Sequence, residues 1–227
     1  MGESIRKNNI LVNDYHVIRA EPKHFDQLIE LFLDISLWLR SKGLTQWSHF
    51  LDGYGRDDVI ESINSRNCWL VTKGNAIVGT VTVQYEPDEW DRHIWNDTNL
   101  DSSIFIHRFA ISRSHSNRGI GRDILCWIEG NYALTANKKY IKLDCVSDNK
   151  RLNDYYLSNG FEYVGCTDDG HSKYQKTLGK NGGESRIHTN ITKHNTHAAG
   201  LTPLARPMYI RGRQLGSYTS RPQIGAI

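Results

Sequence analysis

The stretch Ser116-Asn117-Arg118-Gly119-Ile120-Gly121-Arg122 lies between an apolar run ending at Ile111 and a segment of helical periodicity. It offers backbone N–H groups, two glycines and two arginines at a helix start. Such a start carries roughly half a positive charge and donors with no partner inside the helix, so it suits a phosphate. Gly119 and Gly121 let a bulky anion reach the backbone with no Cβ in the way. Arg118 and Arg122 add charged donors. No Gly-Lys-Ser/Thr comes after it, which disfavours a P-loop. A dinucleotide fingerprint would want a small residue at position 124, where this chain has Ile124. Gly-x-Gly also serves tight strand-to-helix packing, so the neighbouring elements must decide.

Working outward, Ile104 to Ile111 reads as a strand before the turn, and Gly121 to Leu134 as a helix after it, with Ile124, Leu125, Ile128 and Tyr132 on one face. Tyr140 to Val146 is a strand, Lys150 to Leu157 a helix stopped by Gly160, and Phe161 to Val164 and Lys173 to Thr177 are closing strands. Toward the N-terminus, Cys68 to Thr72 and Ile77 to Tyr85 form a hairpin around Lys73-Gly74-Asn75-Ala76. Asp57 to Ser65 is a short helix. Pro22 opens a longer one, whose Phe25, Leu28, Ile29, Phe32, Ile35 and Leu39 keep helical spacing up to Gly43. Tyr15 to Ala20 is a first strand. Pro87 to Asp101 reads as a polar loop carrying Trp90 and Trp95. Strand, helix, strand in the middle implies a parallel pair with a right-handed crossover. The expected fold is α/β: a single mixed, mostly antiparallel sheet with one parallel pair, flanking helices and an irregular C-terminal tail.

Charge divides the chain. From Gly179 to Ile227 there are seven Lys/Arg and one acid, so this segment carries +6 and leaves the rest at −3 of the formal +3. The expected organisation is an N-terminal extension over 1–14, a mixed α/β domain over 15–178 and a basic, disordered tail over 179–227. The tail lacks interleaved aromatics, which argues against nucleic acid as a partner. His188, His194 and His197 are scattered along it. Cys68, Cys126, Cys145 and Cys166 form no Cys-x-x-Cys pair, so no zinc or other metal site is expected. All but Cys166 sit in apolar runs, as buried free thiols of a reducing compartment do. No apolar stretch approaches the ~20 residues of a membrane span. The expected location is cytoplasmic.

The order of elements and the motifs together resemble the GNAT superfamily of acetyl-CoA-dependent N-acyltransferases. Ile106-His107-Arg108-Phe109-Ala110-Ile111 is similar to the family's fourth strand. Ser116 to Gly121 is similar to its pyrophosphate loop, Gln/Arg-x-x-Gly-x-Gly/Ala. Leu143-Asp144-Cys145, Asn149, Tyr156 and Gly160-Phe161 match its later Asn…Tyr-x-x-x-Gly-Phe segment. The chain departs from the pattern at Ser116, where the family has Gln or Arg. Backbone N–H groups carry most of such a loop's contacts, so a serine is compatible with binding.

The resemblance implies acetyl-CoA as co-substrate and a primary amine, on a small molecule or peptide, as acceptor. Pantetheine would pair with the backbone of Phe109, Ala110 and Ile111 like an added strand. The diphosphate would sit on Asn117, Arg118, Gly119, Ile120, Gly121 and Arg122. An N–H near Ala110 or Ile111 would polarise the carbonyl. Tyr156 falls where the family places its general acid; a phenol of pKa about 10 suits that task. Tyr155 reads as its packing neighbour. Asn149 caps the next helix and touches the cofactor arm. Arg122, Lys150 and Arg151 are candidates for the adenosine phosphate. For the general base the acids and histidine near the sheet are Glu86, Asp88, Glu89, His107 and Asp144, with Glu86 preferred because it ends a strand near the substrate side. Residues Trp38 to Trp47 and Glu86 to Trp95 would set specificity, the acids attracting and Trp90 and Trp95 sandwiching a cationic amine. Edge strands leave a homodimer open. The alternative reading is a non-catalytic acyl-CoA sensor or scaffold, which the departure at Ser116 favours.

Overall fold

Alternating and continuous apolar runs build a seven-stranded sheet in this computed structural model, which describes residues 11, 14–96, 100–132 and 138–179. The strands are β1 (His16–Arg19), β2 (Cys68–Lys73), β3 (Ala76–Gln84), β4 (Ser103–Ile111), β5 (Tyr140–Val146), β6 (Glu162–Cys166) and β7 (His171–Thr177). Their spatial order is β1-β2-β3-β4-β5-β7-β6. Every neighbouring pair is antiparallel except β4 and β5. The helices are α1 (Phe25–Ser41), α2 (Ser48–Leu51), α3 (Arg56–Asn64), α4 (Glu89–Trp95), α5 (Ile120–Tyr132) and α6 (Lys150–Ser158). The expected fold class holds. The extension before residue 11 and the tail from 180 onward, with its histidines, lie outside the described residues.

Each sheet face has its own core. α5 and α6 press Ile124, Leu125, Ile128, Leu152 and Tyr156 onto Val81, Val83, Ile104, Ile106 and Phe109. α1 and α3 press Leu28, Phe32, Ile35, Val59 and Ile63 onto Leu70 and Ala110. Burial of side chains of this kind is worth about 1.5–3 kcal/mol each. α1 stops two residues ahead of Gly43, whose φ of +77° only glycine adopts easily, and the next amide, Leu44, closes on the Leu39 carbonyl at 3.1 Å.

β4 is irregular on both of its edges. Its ladder with β5 covers Ser103–Phe105 only, opposite Tyr140–Lys142, after which the strands diverge. Its ladder with β3 slips: Thr82 faces His107 and Thr80 faces Ala110, so one residue of β3 opposes Arg108 and Phe109. This is a β-bulge, and Arg108 takes the strain with φ +44°. Ile104 and Ile106 face α5 before the bulge, and Phe109 and Ile111 after it.

The expected loop over Pro87 to Asp101 is corrected. Residues 89–95 are helical because Asp88 and Asp91 cap each other's backbone N–H groups, at 2.9 and 3.1 Å, and Ile94 and Trp95 bury against Phe105. Cys126 is exposed on α5, contrary to the buried thiol expected there.

Candidate active site

The Gly-rich turn folds as the sequence implies. Asn117 and Gly119 both have positive φ, +59° and +79°, and α5 begins at Ile120. A Cβ on Gly119 would meet nothing within 4 Å, so the space above it is open. The Arg151 guanidinium donates to the Asn117 side chain at 2.9 Å and ties α6 to the turn. Ser116 donates to the Arg113 carbonyl at 2.9 Å, and Arg118 turns back to the Ser114 carbonyl at 3.1 Å.

A cleft of about 440 Å³ opens on this turn. Asn117, Gly119, Ile120, Gly121 and Arg122 form its floor, Asn149, Arg151 and Tyr155 one wall, and Trp38, Lys42 and Leu44 the opposite one. Ile111 joins it from β4. Phe109 and Ala110 are buried side chains, so they can offer only backbone. Lys150 pairs instead with Asp154 at 2.5 Å. Asn149 accepts from Leu152 N at 3.1 Å, as a helix cap, and donates to Gln46 at 3.0 Å. That second bond joins the α1–α2 loop to the cap of α6. Gln46 carries no motif, and only its burial marks it.

Tyr156 is fully buried among Phe161, Tyr174 and Tyr155. Its hydroxyl has no hydrogen-bond partner among the described residues, an omission that costs a buried phenol. Burial, and then the nearby Cys145, holds its pKa well above the ordinary phenol value. Tyr155, read from sequence as packing, lies in the cleft wall, and its hydroxyl is equally unpartnered among the described residues.

A polar region lies between α3 and the turn before α4. A second cleft, of about 310 Å³, is walled by Asp58, Glu61, Glu86, Asp88 and Arg108. Glu86 sits at its edge, 81% exposed, with Lys138 Nζ 3.7 Å away. His107 is 2% exposed, and its Nε2 lies 3.3 Å from Asp91, off the axis of a good hydrogen bond. Burial lowers the His107 pKa, but Asp91, with Asp88 behind it, outweighs burial, and the net direction is upward. Deeper in, Asp144 accepts from Trp90 Nε1 at 3.2 Å and pairs with His171 at 2.9 Å. Burial lowers His171 and that pairing raises it by more. The expected aromatic sandwich does not form: Trp90 is committed to Asp144, and Trp95 is buried with the Lys142 ammonium 4.3 Å from its ring centroid. Asp88, Asp91 and His107 each bring one donor atom within 4.8 Å of the others. Their carboxylates are spent on the reciprocal cap and on His107, so the set reads as a capped ion pair rather than a metal site.

The diverging β4–β5 pair, the bulge in β4 and the glycine turn ahead of α5 together have counterparts among known proteins. Residues 64–163 match the family model described as an acetyltransferase (GNAT) domain. Over this part the chain is similar to the GNAT superfamily, which supports an acyltransferase. It is 29% identical over 172 residues to the uncharacterized N-acetyltransferase YesJ of Bacillus subtilis, covering 76% of this chain and 95% of that one. A GNAT-family acetyltransferase structure from Listeria monocytogenes is 28% identical, with TM-score 0.62, over 72% of this chain and 95% of that one. One from Streptococcus agalactiae shares the fold at TM-score 0.64 and 24% identity, over 76% of this chain and all of that one.

Proposed function

We propose that the chain moves an acetyl group from acetyl-CoA to a primary amine of a small molecule or peptide, by direct attack in a ternary complex. The observation that carries this is the 440 Å³ cleft, which is lined by the glycine turn, by Ile111 at the end of β4 and by Asn149 at the start of α6. The diphosphate would lie on the N–H groups of residues 117–122, with Arg122 and Arg151 at hand for further phosphate. The pantetheine arm would run along residues 109–111 on the side of β4 where the ladder with β5 has ended, and Asn149 would border it. A backbone N–H at the bulge is the natural donor to the oxygen that gains charge.

The Tyr156 hydroxyl protonates the departing sulfur in this reading. Its raised pKa keeps it neutral, and its lack of a partner among the described residues leaves it free to donate. Glu86, exposed at the acidic cleft, acts on the amine's approach. Direct attack is favoured because the buried thiol nearest Tyr156, Cys145, is held protonated by burial and then by Asp144.

Release of CoA from acetyl-CoA across a broad amine panel tests this reading. Turnover with at least one amine supports it. Acetyl-CoA binding without turnover on any amine would instead favour the sensor reading that Ser116 raised.

A further inference from the structure

α4 lies across the place where the sheet opens. Ile104 and Ile106 of β4, and Leu143 and Cys145 of β5, belong to the core under α5 and α6. Strand alternation turns Phe105, His107, Lys142 and Asp144 to the opposite face, and α4 packs there. The last rung of the β4–β5 ladder joins Phe105 to Lys142. Trp95, at the end of α4, holds both halves of that rung: it buries with Phe105, and the Lys142 ammonium lies 4.3 Å from its ring centroid. Two residues further along each strand, on the same face, stand His107 and Asp144, past the end of the ladder. The helix reaches both through consecutive residues. Asp91 Oδ2 is 3.3 Å from His107 Nε2, and Trp90 Nε1 donates to Asp144 Oδ1 at 3.2 Å. Two outer ties complete the attachment. Asp144 Oδ2 pairs with His171 Nδ1 of β7 at 2.9 Å, and His93 pairs with Asp169, in the β6–β7 turn, at 2.9 Å.

Docking of α4 needs none of this polarity, because Ile94, Trp95 and Phe105 form an apolar seat for it. Yet Asp91, His107 and Asp144 are each no more than 2% exposed. A buried polar pair adds little net stability, since lost hydration offsets the attraction. What a short, directional contact does fix is the distance between the groups it joins. Here it joins two strands just past their last common rung.

We propose that α4 is a strap across the β4–β5 split, and that Trp90 and Asp91 are positioning residues: through Asp144 and His107 they set the gap that receives the acetylated end of the pantetheine arm. The inference rests on the acetyltransferase reading. None of residues 88–95 lines the 440 Å³ cleft on the glycine turn. The strap therefore acts on the end of the arm and leaves the diphosphate to the turn.

The strap carries charge that pH can remove. Burial lowers the His107 pKa, but Asp91 and Asp88 from the α4 side outweigh burial and Arg108, which lies on the same strand. Burial likewise lowers His171, and Asp144 and Asp169 raise it by more. Below these raised values both pairs are ionic. As pH climbs past them the imidazoles turn neutral, and the grip on β4 and β5 loosens.

The test measures, by calorimetry on the full chain, the affinity for acetyl-CoA and for 3′-phosphoadenosine 5′-diphosphate, the same nucleotide without its arm. Trp90→Phe keeps a ring against His171 and loses the donor to Asp144. Asp91→Asn keeps an oxygen for the Asp88 N–H and loses the charge facing His107. Each should weaken acetyl-CoA binding by about three- to tenfold, and the two together by more, while the armless nucleotide stays within about twofold. In the unmodified chain, the advantage of acetyl-CoA over the armless nucleotide should fall as pH is raised above the ordinary histidine value of 6.5, and Asp91→Asn should flatten that fall. Equal weakening of both ligands, or of neither, would make α4 a structural cover and overturn the proposal. Should either variant not fold, the pH profile of the unmodified chain decides: an acetyl-CoA advantage indifferent to pH overturns the proposal as well. Failure of the unmodified chain to bind acetyl-CoA at all would instead sink the acetyltransferase reading.

Discussion

At the smallest scale the proposed chemistry turns on Tyr156. Its match to the family's Asn…Tyr-x-x-x-Gly-Phe spacing was legible in the sequence. Its full burial, and the place of Tyr155 in the cleft wall, were not, because adjacent helix positions differ by about 100° and only packing settles which turns inward. Tyr156→Phe should lower kcat by about a hundredfold while acetyl-CoA affinity, read by calorimetry, stays near that of the unmodified chain. Equal loss of both would mean that the hydroxyl serves structure. A second residue reports on the polar region by pH. His49 is buried with Nε2 unpartnered among the described residues, and burial, then the Arg108 charge, pull its pKa from 6.5 to about 4 against a weaker pull from Asp52. Unfolded, it binds a proton below pH 6.5; folded, it stays neutral down to about 4. Its contribution to stability is therefore complete above pH 6.5 and is lost as pH falls toward 4, with a slope of up to about 1.4 kcal/mol per pH unit. Urea unfolding across this range should show a shallower acid slope in His49→Gln.

Among elements, β4 decides the most. Its apolar run was plain from Ile104 to Ile111, but the bulge was not. A bulge is set by register with β3, a pairing that one strand's own sequence does not encode. Gly79 enforces that close pairing. A Cβ there would lie 2.8 Å from the Ala110 carbonyl oxygen and 2.7 Å from Ile111 Cδ1. The side chain can swing away, whereas the backbone oxygen cannot without moving β4. Gly79→Ala should therefore cost about 1–3 kcal/mol in urea unfolding and weaken acetyl-CoA binding together, since the displaced strand borders the cleft. Stability lost with affinity intact would separate β4 from the cofactor. The α4 helix shows the opposite limit of reading from sequence. Pro87 and a run of charges argued for a loop, while the mutual cap of Asp88 and Asp91 and the burial of Trp95 made a helix. The aromatic pair assigned to substrate was absorbed by that packing.

At the scale of the whole molecule, the sheet has a cleft on the glycine turn and an acidic cleft at the other end of the β4 bulge. The order of elements was legible because helical and strand periods alternate cleanly from β4 to α6. The insertion of β7 between β5 and β6 was not, since it depends on a long-range pairing. Direct attack, as proposed, requires both substrates to be bound at once, so initial-rate plots at varied acetyl-CoA and amine should intersect. Parallel lines would point to an acyl-enzyme and return Cys145 to consideration.

A crystal structure of the full chain with acetyl-CoA tests the central claim most directly. The account predicts the diphosphate on the N–H groups of residues 117–122 and the thioester between the diverging β4 and β5, with its sulfur beside the Tyr156 hydroxyl. A diphosphate bound elsewhere, or a sulfur pointing away from Tyr156, would contradict it.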